Sequence, residues 1–330
     1  MWKKLLRSVL FLTIFSLLFL AVSPIFVPKN NTSRAGIHEP NAKGFLAEPE
    51  DTIDVLFLGD SEAYSGFIPL RIWEQHGITS YVCSTGDQMM YQAYSYLDWV
   101  FRSQSPKVVV LETNALYRAF TLADMISHTA EELFPYLRYH DRWKSLQPED
   151  WGSSPSHGSI VRDRGYLYFT KTVSADTAGY MAPSEEVHPV PYLNREYARL
   201  IRDFCRERSV DLVLVSTPSP TNWSIYYHNG VDQMARELEV PYIDMNLMPQ
   251  EIPINWQTDS YDGGDHLNYF GACKVTSHLG TFLWNTGLFT DKRGLAEYSA
   301  WNTALDDFNA STAGGTAPQI RKTDDGQGIG

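Results

Sequence analysis

The sequence predicts a doubly wound α/β domain built on a parallel sheet, and three observations lead to this fold class. Short apolar runs recur along the chain, and each is followed by turn residues and then by a helical pattern. The runs are β-branched and nearly continuous, which is typical of strands covered on both faces. Alternating strands and helices of this kind form a parallel sheet between helices, with the binding site at the carboxyl ends of the strands.

Five apolar runs are the predicted strands, and they cover residues 53–58, 80–83, 107–111, 210–215 and 240–243. A helix is clearest just before the fourth run. There, apolar residues recur at helical spacing and form one stripe, made of Leu193, Tyr197, Leu200, Ile201 and Phe204. A second helical pattern covers about residues 269–284.

The amino terminus has the pattern of a membrane anchor. Residues 1–7 are basic, and residues 8–27 form an uncharged, mostly apolar stretch of the length that crosses a bilayer as a helix. The alternative is a cleaved signal peptide, for which residues 21–23 offer a small-residue cleavage site. Pro24 would then be the first mature residue, and the apolar stretch is long for a signal peptide, so we favour an uncleaved anchor. The basic end predicts a cytoplasmic amino terminus and an extracytoplasmic body.

The remaining boundaries follow from composition. Residues 28–50 are polar and broken by proline, which indicates a tether, and residues 51–310 form the predicted domain. Residues 311–330 lack an apolar period and are predicted to be a disordered tail. The stretch 119–191 interrupts the alternation of strands and helices, is aromatic, and is interpreted as an insertion beside the site.

Charge and cysteine content exclude several classes of protein. The formal net charge is −12, and an acidic body of this kind repels nucleic acid. The three cysteines, Cys83, Cys205 and Cys273, are scattered singly and indicate small buried residues rather than a metal site or a disulfide framework. The histidines show no metal-ligand spacing, so we expect neither a metal nor a cofactor.

Ser61 is the candidate nucleophile. It follows the first predicted strand directly, behind Gly59 and Asp60, where a tight turn can project its hydroxyl from the edge of the sheet. The second and third predicted strands are followed by Gly86 and Asn114, whose N–H groups could stabilise an oxyanion together with the Ser61 N–H. The structural alternatives are a turn residue for Gly86 and a helix cap for Asn114.

His266 is the candidate base, because it lies on a glycine-rich loop ahead of the last helical pattern. A carboxylate close by can hold its tautomer. Asp262 and Asp265 are both candidates for this carboxylate. We favour Asp262, because the side chains of adjacent residues in an extended loop point in opposite directions.

Together these segments resemble the four sequence blocks of the SGNH/GDSL hydrolase family, in the same order along the chain. The serine block is Gly59-Asp60-Ser61, followed by Gly86, Asn114 and the final Asp262 with His266. The resemblance implies a flavodoxin-like five-stranded parallel sheet between helices and acyl transfer through a serine ester. The sequence departs from the family pattern in two blocks. In the asparagine block, residues 112–115 match the family only at Asn114. In the final block, Gly263 occupies the position three residues before His266, where the family usually has aspartate.

The anchor and the extracytoplasmic domain are also similar in organisation to proteins of polysaccharide O-acetylation and teichoic-acid alanylation. This likeness implies a cell-envelope setting, an acylated glycan or other ester as substrate, and a multi-spanning membrane acyltransferase as partner. The sequence leaves open whether water or a sugar hydroxyl accepts the acyl group. A membrane-tethered binding or assembly module that has kept the fold without turnover is the rival hypothesis.

Overall fold

The computed structural model describes residues 2–29, 36–152 and 160–313, which belong to two units. One unit contains Met1–Pro40 and Phe120–Ser159, and the other contains Asn41–Ala119 and Ile160–Gly330. Residues 314–330, most of the predicted tail, lie outside the described residues.

The larger unit is built on five parallel strands: β1 Val55–Gly59, β2 Ser80–Ser84, β3 Val108–Glu112, β4 Asp211–Ser216 and β5 Tyr242–Asp244. Their order across the sheet is β2-β1-β3-β4-β5. The fold class predicted from the sequence is confirmed, because all four neighbouring pairs are parallel and helices connect the strands. Every residue of β1, β2 and β3 is buried, which explains their continuous apolar pattern.

The helices of this unit pack in two groups, as expected for a sheet covered on both faces. One group contains α4 Met90–Val100, α7 Tyr192–Glu207 and α8 Ile225–Leu238. The other contains α2 Ser61–Gly66, α3 Pro69–His76, α9 Tyr269–Asn285 and α10 Ser299–Ala313.

The buried face of α7 differs from the predicted stripe. Leu200 is 46 % exposed, whereas Asn194 is buried. The Asn194 amide donates hydrogen bonds to the main-chain oxygens of Leu116 and Arg118 at 2.7 and 2.9 Å. A satisfied polar contact therefore holds this face of α7 against the chain that follows β3.

The packed unit extends into the predicted tether and tail. Ala42–Ala47 form a 3-10 helix in which Phe45 is fully buried against Tyr81, and the Tyr81 hydroxyl donates to the Asn41 oxygen at 2.7 Å. This turn is ordered because an aromatic side chain and a buried hydroxyl both find partners there. At the other end, α10 continues to Ala313.

The smaller unit contains α1 Trp2–Val22, α5 Leu122–Leu133 and α6 Pro135–Tyr139. Short 3-10 turns follow at Ser23–Phe26, His140–Lys144 and Pro148–Trp151. The segment Trp2–Phe26 is long and apolar enough to cross a membrane, and no residue of α1 is buried. The predicted insertion at 119–191 is therefore divided, with its first part in this unit and residues 160–191 in the sheet unit.

Candidate active site

The turn between β1 and α2 positions Ser61. Gly59 ends β1 with φ of +150°, and a Cβ added there would lie 2.7 Å from the Cβ of Glu112, so only glycine fits. Asp60 caps α2, with its carboxylate accepting from the Glu62 N–H at 3.1 Å. Ser61 is the first residue of α2, at the carboxyl edge of the sheet, and is 6 % exposed.

The ends of β2 and β3 bring two further predicted residues to this edge. The Ser84 hydroxyl donates to the Asp60 main-chain oxygen and joins the two strand ends. Gly86 follows in an exposed turn, where an added Cβ would lie 4.0 Å from the Tyr64 hydroxyl. Asn114 is buried, and its side-chain amide donates to the Asp60 carboxylate at 2.9 Å. Gly86 and Asn114 therefore both lie next to residues of the Ser61 turn.

The Tyr64 phenol lies beside Ser61. Burial raises the pKa of Tyr64 to about 12, and a side-chain hydrogen bond with Ser61 acts in the opposite direction. The main-chain oxygen of Tyr64 accepts from the Leu167 N–H at 2.9 Å. A neutral phenol therefore lies beside the serine, on a residue whose main chain is hydrogen-bonded to Leu167.

Asp262 and His266 form a pair on the loop before α9. Gly263 and Gly264 adopt φ of +89° and +99°, which folds the loop back on itself. The Asp262 carboxylate accepts from the His266 main-chain N–H at 2.8 Å and contacts Nδ1 of the imidazole at 2.6 Å. The Asp265 carboxylate is 3.7 Å from Nδ1 and accepts instead from the Asn222 amide. Of the two candidate carboxylates, Asp262 has the geometry that orients the imidazole.

Aromatic rings line one side of the imidazole. The His266 ring stacks on Tyr261 with centroids 5.5 Å apart, and Tyr261 stacks on Phe169 at 4.1 Å. Phe169 belongs to residues 160–191, so this part of the predicted insertion reaches the histidine through Tyr261. Among the described residues, the Nε2 atom of His266 is buried and has no hydrogen-bond partner.

Glu62 is an acid beside His266 that the sequence motifs do not predict. One oxygen each of Glu62 and Asp265 and one nitrogen of His266 lie within 4.8 Å of one another. Burial raises the pKa of Glu62 to about 8, and the charge of His266 opposes this rise. Burial lowers the pKa of His266, but the Asp262 hydrogen bond and the charges of Glu62 and Asp265 outweigh it and raise that pKa to about 9.

Three carboxylates are buried behind Ser61, belonging to Asp60, Glu62 and Glu112. Burial raises the pKa of each of them. The Arg118 guanidinium pairs with Asp60 at 2.6 Å and so compensates one of these charges. Glu112 accepts from the Asn114 N–H at 2.8 Å and from Thr217. The hydrogen bonds and the ion pair of this cluster stiffen the serine turn.

The five predicted site residues, Ser61, Gly86, Asn114, Asp262 and His266, therefore meet at one edge of the sheet. No hydrogen bond joins Ser61 to His266 within the described residues, and their chemical roles remain predictions. Four further neighbours were not predicted: Glu62, Tyr64, Arg118 and Asn222. Asn222 could have been found, because it follows β4, whose carboxyl end lies at the same edge.

Comparisons with known proteins find similarity only among solved structures. No protein-family model and no curated protein matches the chain. A psychrotrophic esterase from Pseudoalteromonas sp. is 11 % identical, with a TM-score of 0.38 over 72 % of this chain and 100 % of that one. An acetyl xylan esterase is 12 % identical, with a TM-score of 0.38 over 71 % and 99 %. A GDSL-like lipase from Bacteroides thetaiotaomicron is 10 % identical, with a TM-score of 0.36 over 77 % and 95 %. The similarity is distant at these values, so we base the function on this chain's own residues.

Proposed function

We propose that the chain is a serine-dependent acyl-transfer enzyme that cleaves an ester. The Asp262 and His266 pair carries this proposal. The carboxylate holds Nδ1 at 2.6 Å, while Nε2 is buried and unpaired among the described residues, close to the turn that bears Ser61. A neutral imidazole held in this way can take a proton at Nε2.

In the proposed reaction the Ser61 hydroxyl oxygen attacks the ester carbonyl carbon while its proton passes to His266. The main-chain N–H groups of Ser61 and Gly86 and the Asn114 amide stabilise the negative oxygen that forms. The Asn114 amide carries two hydrogens, and one bond to Asp60 leaves the second for this oxygen. His266 then protonates the leaving alcohol, and an acceptor hydroxyl, activated by the same imidazole, releases the acyl group from Ser61.

The proposed setting is the outer side of a membrane, with α1 as the anchor and the amino terminus in the cytoplasm. The substrate class is an acylated cell-surface or cell-wall glycan, presented alone or beside a multi-spanning acyltransferase. The similarity in organisation to proteins of polysaccharide O-acetylation supports this substrate class. Water as acceptor makes the protein an esterase, and a sugar hydroxyl makes it an O-acyltransferase.

Labelling with a fluorophosphonate probe tests the nucleophile. We expect the full-length protein in detergent to be labelled at Ser61 and the Ser61→Ala variant to remain unlabelled. Ser65→Ala is the matched control, because Ser65 lies one turn later in the same helix and is also buried. Intact-mass detection of an acyl adduct after incubation with acylated glycans identifies the donor.

A non-catalytic binding or assembly module is the second candidate. It is favoured by the hydrogen bond that ties the Asn114 amide to Asp60 and by the missing hydrogen bond between Ser61 and His266. A folded wild-type protein that binds acylated glycans but is never labelled and never hydrolyses an ester supports this alternative and contradicts the enzyme.

A further inference from the structure

The carboxyl-terminal end of α1 packs against the chain that links α5 to α6. The Phe19 ring lies 5.3 Å from Phe134 and 5.2 Å from Tyr136, and the Phe26 ring meets Tyr136 edge to face at 4.6 Å. The Tyr136 N–H donates to the Ser23 hydroxyl at 2.8 Å. These contacts tie α6 to the end of the apolar helix.

A second set of contacts fixes the turn after α1 in the same unit. The Arg142 guanidinium donates to the Phe26 main-chain oxygen at 2.6 Å and pairs with Asp150 at 2.8 Å. Arg142 and Asp150 are both buried. A buried and paired arginine of this kind holds residues 140–152 at the exit of α1.

The contacts of Phe19 show at what depth along α1 the chain between α5 and α6 lies. At a rise of about 1.5 Å per residue, Phe19 lies about 4.5 Å before the end of α1 at Val22, inside the segment Trp2–Phe26 that is long and apolar enough to cross a membrane. A bilayer that surrounds α1 therefore reaches the level of Phe134 and Tyr136. The segment that holds them begins where α5 ends, at Leu133.

One side of α5 is apolar and exposed. Leu122, Ile126 and Leu133 recur at helical spacing and are 62 %, 69 % and 61 % exposed. We call these three residues the α5 apolar face. The opposite side carries Asp124 and Glu131, so α5 is amphipathic. Trp143 and Trp151 of the same unit are also mostly exposed, and tryptophan favours the boundary between headgroups and acyl chains.

We propose that the α5 apolar face lies in the bilayer, in the leaflet at the carboxyl end of α1. The proposal rests on α1 as the membrane anchor. We assign lipid as the partner of the α5 apolar face because the same unit carries α1, the proposed membrane anchor. Phe19, near the end of α1, is in ring contact with Phe134, the residue that follows Leu133. The amphipathic helix is then held parallel to the membrane surface, with its acids in water.

Lipid-borne quenching tests this placement in the full chain. We would place single cysteines in a Cys273→Ala background, because Cys83 and Cys205 are buried. The test position is Ile126→Cys, labelled with a polarity-sensitive fluorophore in phosphatidylcholine vesicles. The matched control is Ser127→Cys, an exposed position on the polar side of the same helix. Leu12→Cys in the middle of α1 reports on the anchor itself.

We expect nitroxide-bearing lipids to quench the label at 126 at least threefold more strongly than the label at 127, and aqueous iodide to show the reverse order. Equal quenching at 126 and 127, with strong lipid quenching at 12, overturns the proposal and leaves the anchor standing. A label at 126 that is shielded from both quenchers means that protein covers the face, which also overturns it. Absence of lipid quenching at 12 rejects the anchor and the proposal together.

Discussion

The Glu62 carboxylate and the His266 imidazole face each other at the carboxyl edge of the sheet, with an oxygen of one within 4.8 Å of a nitrogen of the other. The charge of each favours the ionised form of its partner. Because the pKa of His266 is raised to about 9, the imidazole is mostly protonated at neutral pH. A protonated imidazole cannot accept the Ser61 proton, so this pair controls the pH at which the proposed reaction proceeds.

The first prediction concerns the pH dependence of ester hydrolysis. We expect kcat/KM to increase with pH, to reach half its maximum near pH 9 and to level off only above that pH, because only neutral His266 acts as a base. Hydrolysis of an activated acetate ester, followed from pH 6 to 10 and corrected for spontaneous reaction, measures this. A profile that is already flat at pH 7 contradicts the proposed control by His266.

The second prediction isolates Glu62. In Glu62→Gln the imidazole loses a neighbouring negative charge, so its pKa falls and the rise in kcat/KM moves about one unit to lower pH. Glu207→Gln is the control, because Glu207 is exposed at the end of α7. An unchanged profile in Glu62→Gln shows that the two groups do not interact in solution.

The third prediction separates the two aspartates beside His266. Asp262→Asn loses the carboxylate that holds Nδ1, and we expect kcat to fall by about 10³-fold to 10⁴-fold. Asp265→Asn alters a carboxylate that is 3.7 Å away, and we expect a loss below about tenfold. Steady-state kinetics of both purified variants give the comparison. Equal losses contradict the assignment of Asp262 as the orienting residue.

The fourth prediction concerns the buried charge of Asp60. Arg118→Met removes the guanidinium at 2.6 Å from a fully buried carboxylate, and we expect a loss of about 3 kcal/mol in the free energy of unfolding. Arg102→Met breaks an exposed pair with Asp98, and we expect a loss below about 0.5 kcal/mol. Chemical denaturation of both variants measures the difference. Equal losses show that the Arg118 pair stabilises no more than a surface pair.

The fifth prediction concerns stability against pH. The pKa of Glu62 is raised from 4.5 to about 8, and that of His266 from 6.5 to about 9. Both groups bind protons more tightly in the folded state, so their contribution is complete below about pH 4.5 and is lost as the pH rises to about 9. We therefore expect the melting temperature to fall between pH 6 and 9, and to fall less in Glu62→Gln. An equal fall in that variant contradicts a contribution from Glu62.

Much of the fold could be predicted from the sequence. All five strands lie within two residues of the predicted runs, because continuous burial leaves an apolar pattern that local reading detects. Ser61 and Asn114 could be placed for a related reason, since parallel strands end at a common edge. The predicted buried stripe of α7 was less accurate. Asn194 is buried and Leu200 is exposed, because the Asn194 amide donates hydrogen bonds to carbonyl oxygens far away in the sequence.

The site was less accessible to prediction than the fold. Glu62 reads as an ordinary first-turn residue of a helix, and Asn222 as a loop residue. They meet across 160 positions, where the Asn222 amide donates to Glu62 at 3.0 Å. The periodicity of the sequence cannot predict this contact, because the contact depends on how the strands are arranged across the sheet and not on neighbouring residues.

The sequence by itself determined the succession of strands and helices along the chain, the apolar character of α1 and the turn that presents Ser61. Burial and turn chemistry act over a few adjacent residues, so local patterns record these features. Only the tertiary structure decided that Asp262 rather than Asp265 contacts the imidazole and that Glu62 lies beside it. Those choices depend on distances of a few ångströms between loops, which exist only once the sheet has brought the strand ends together.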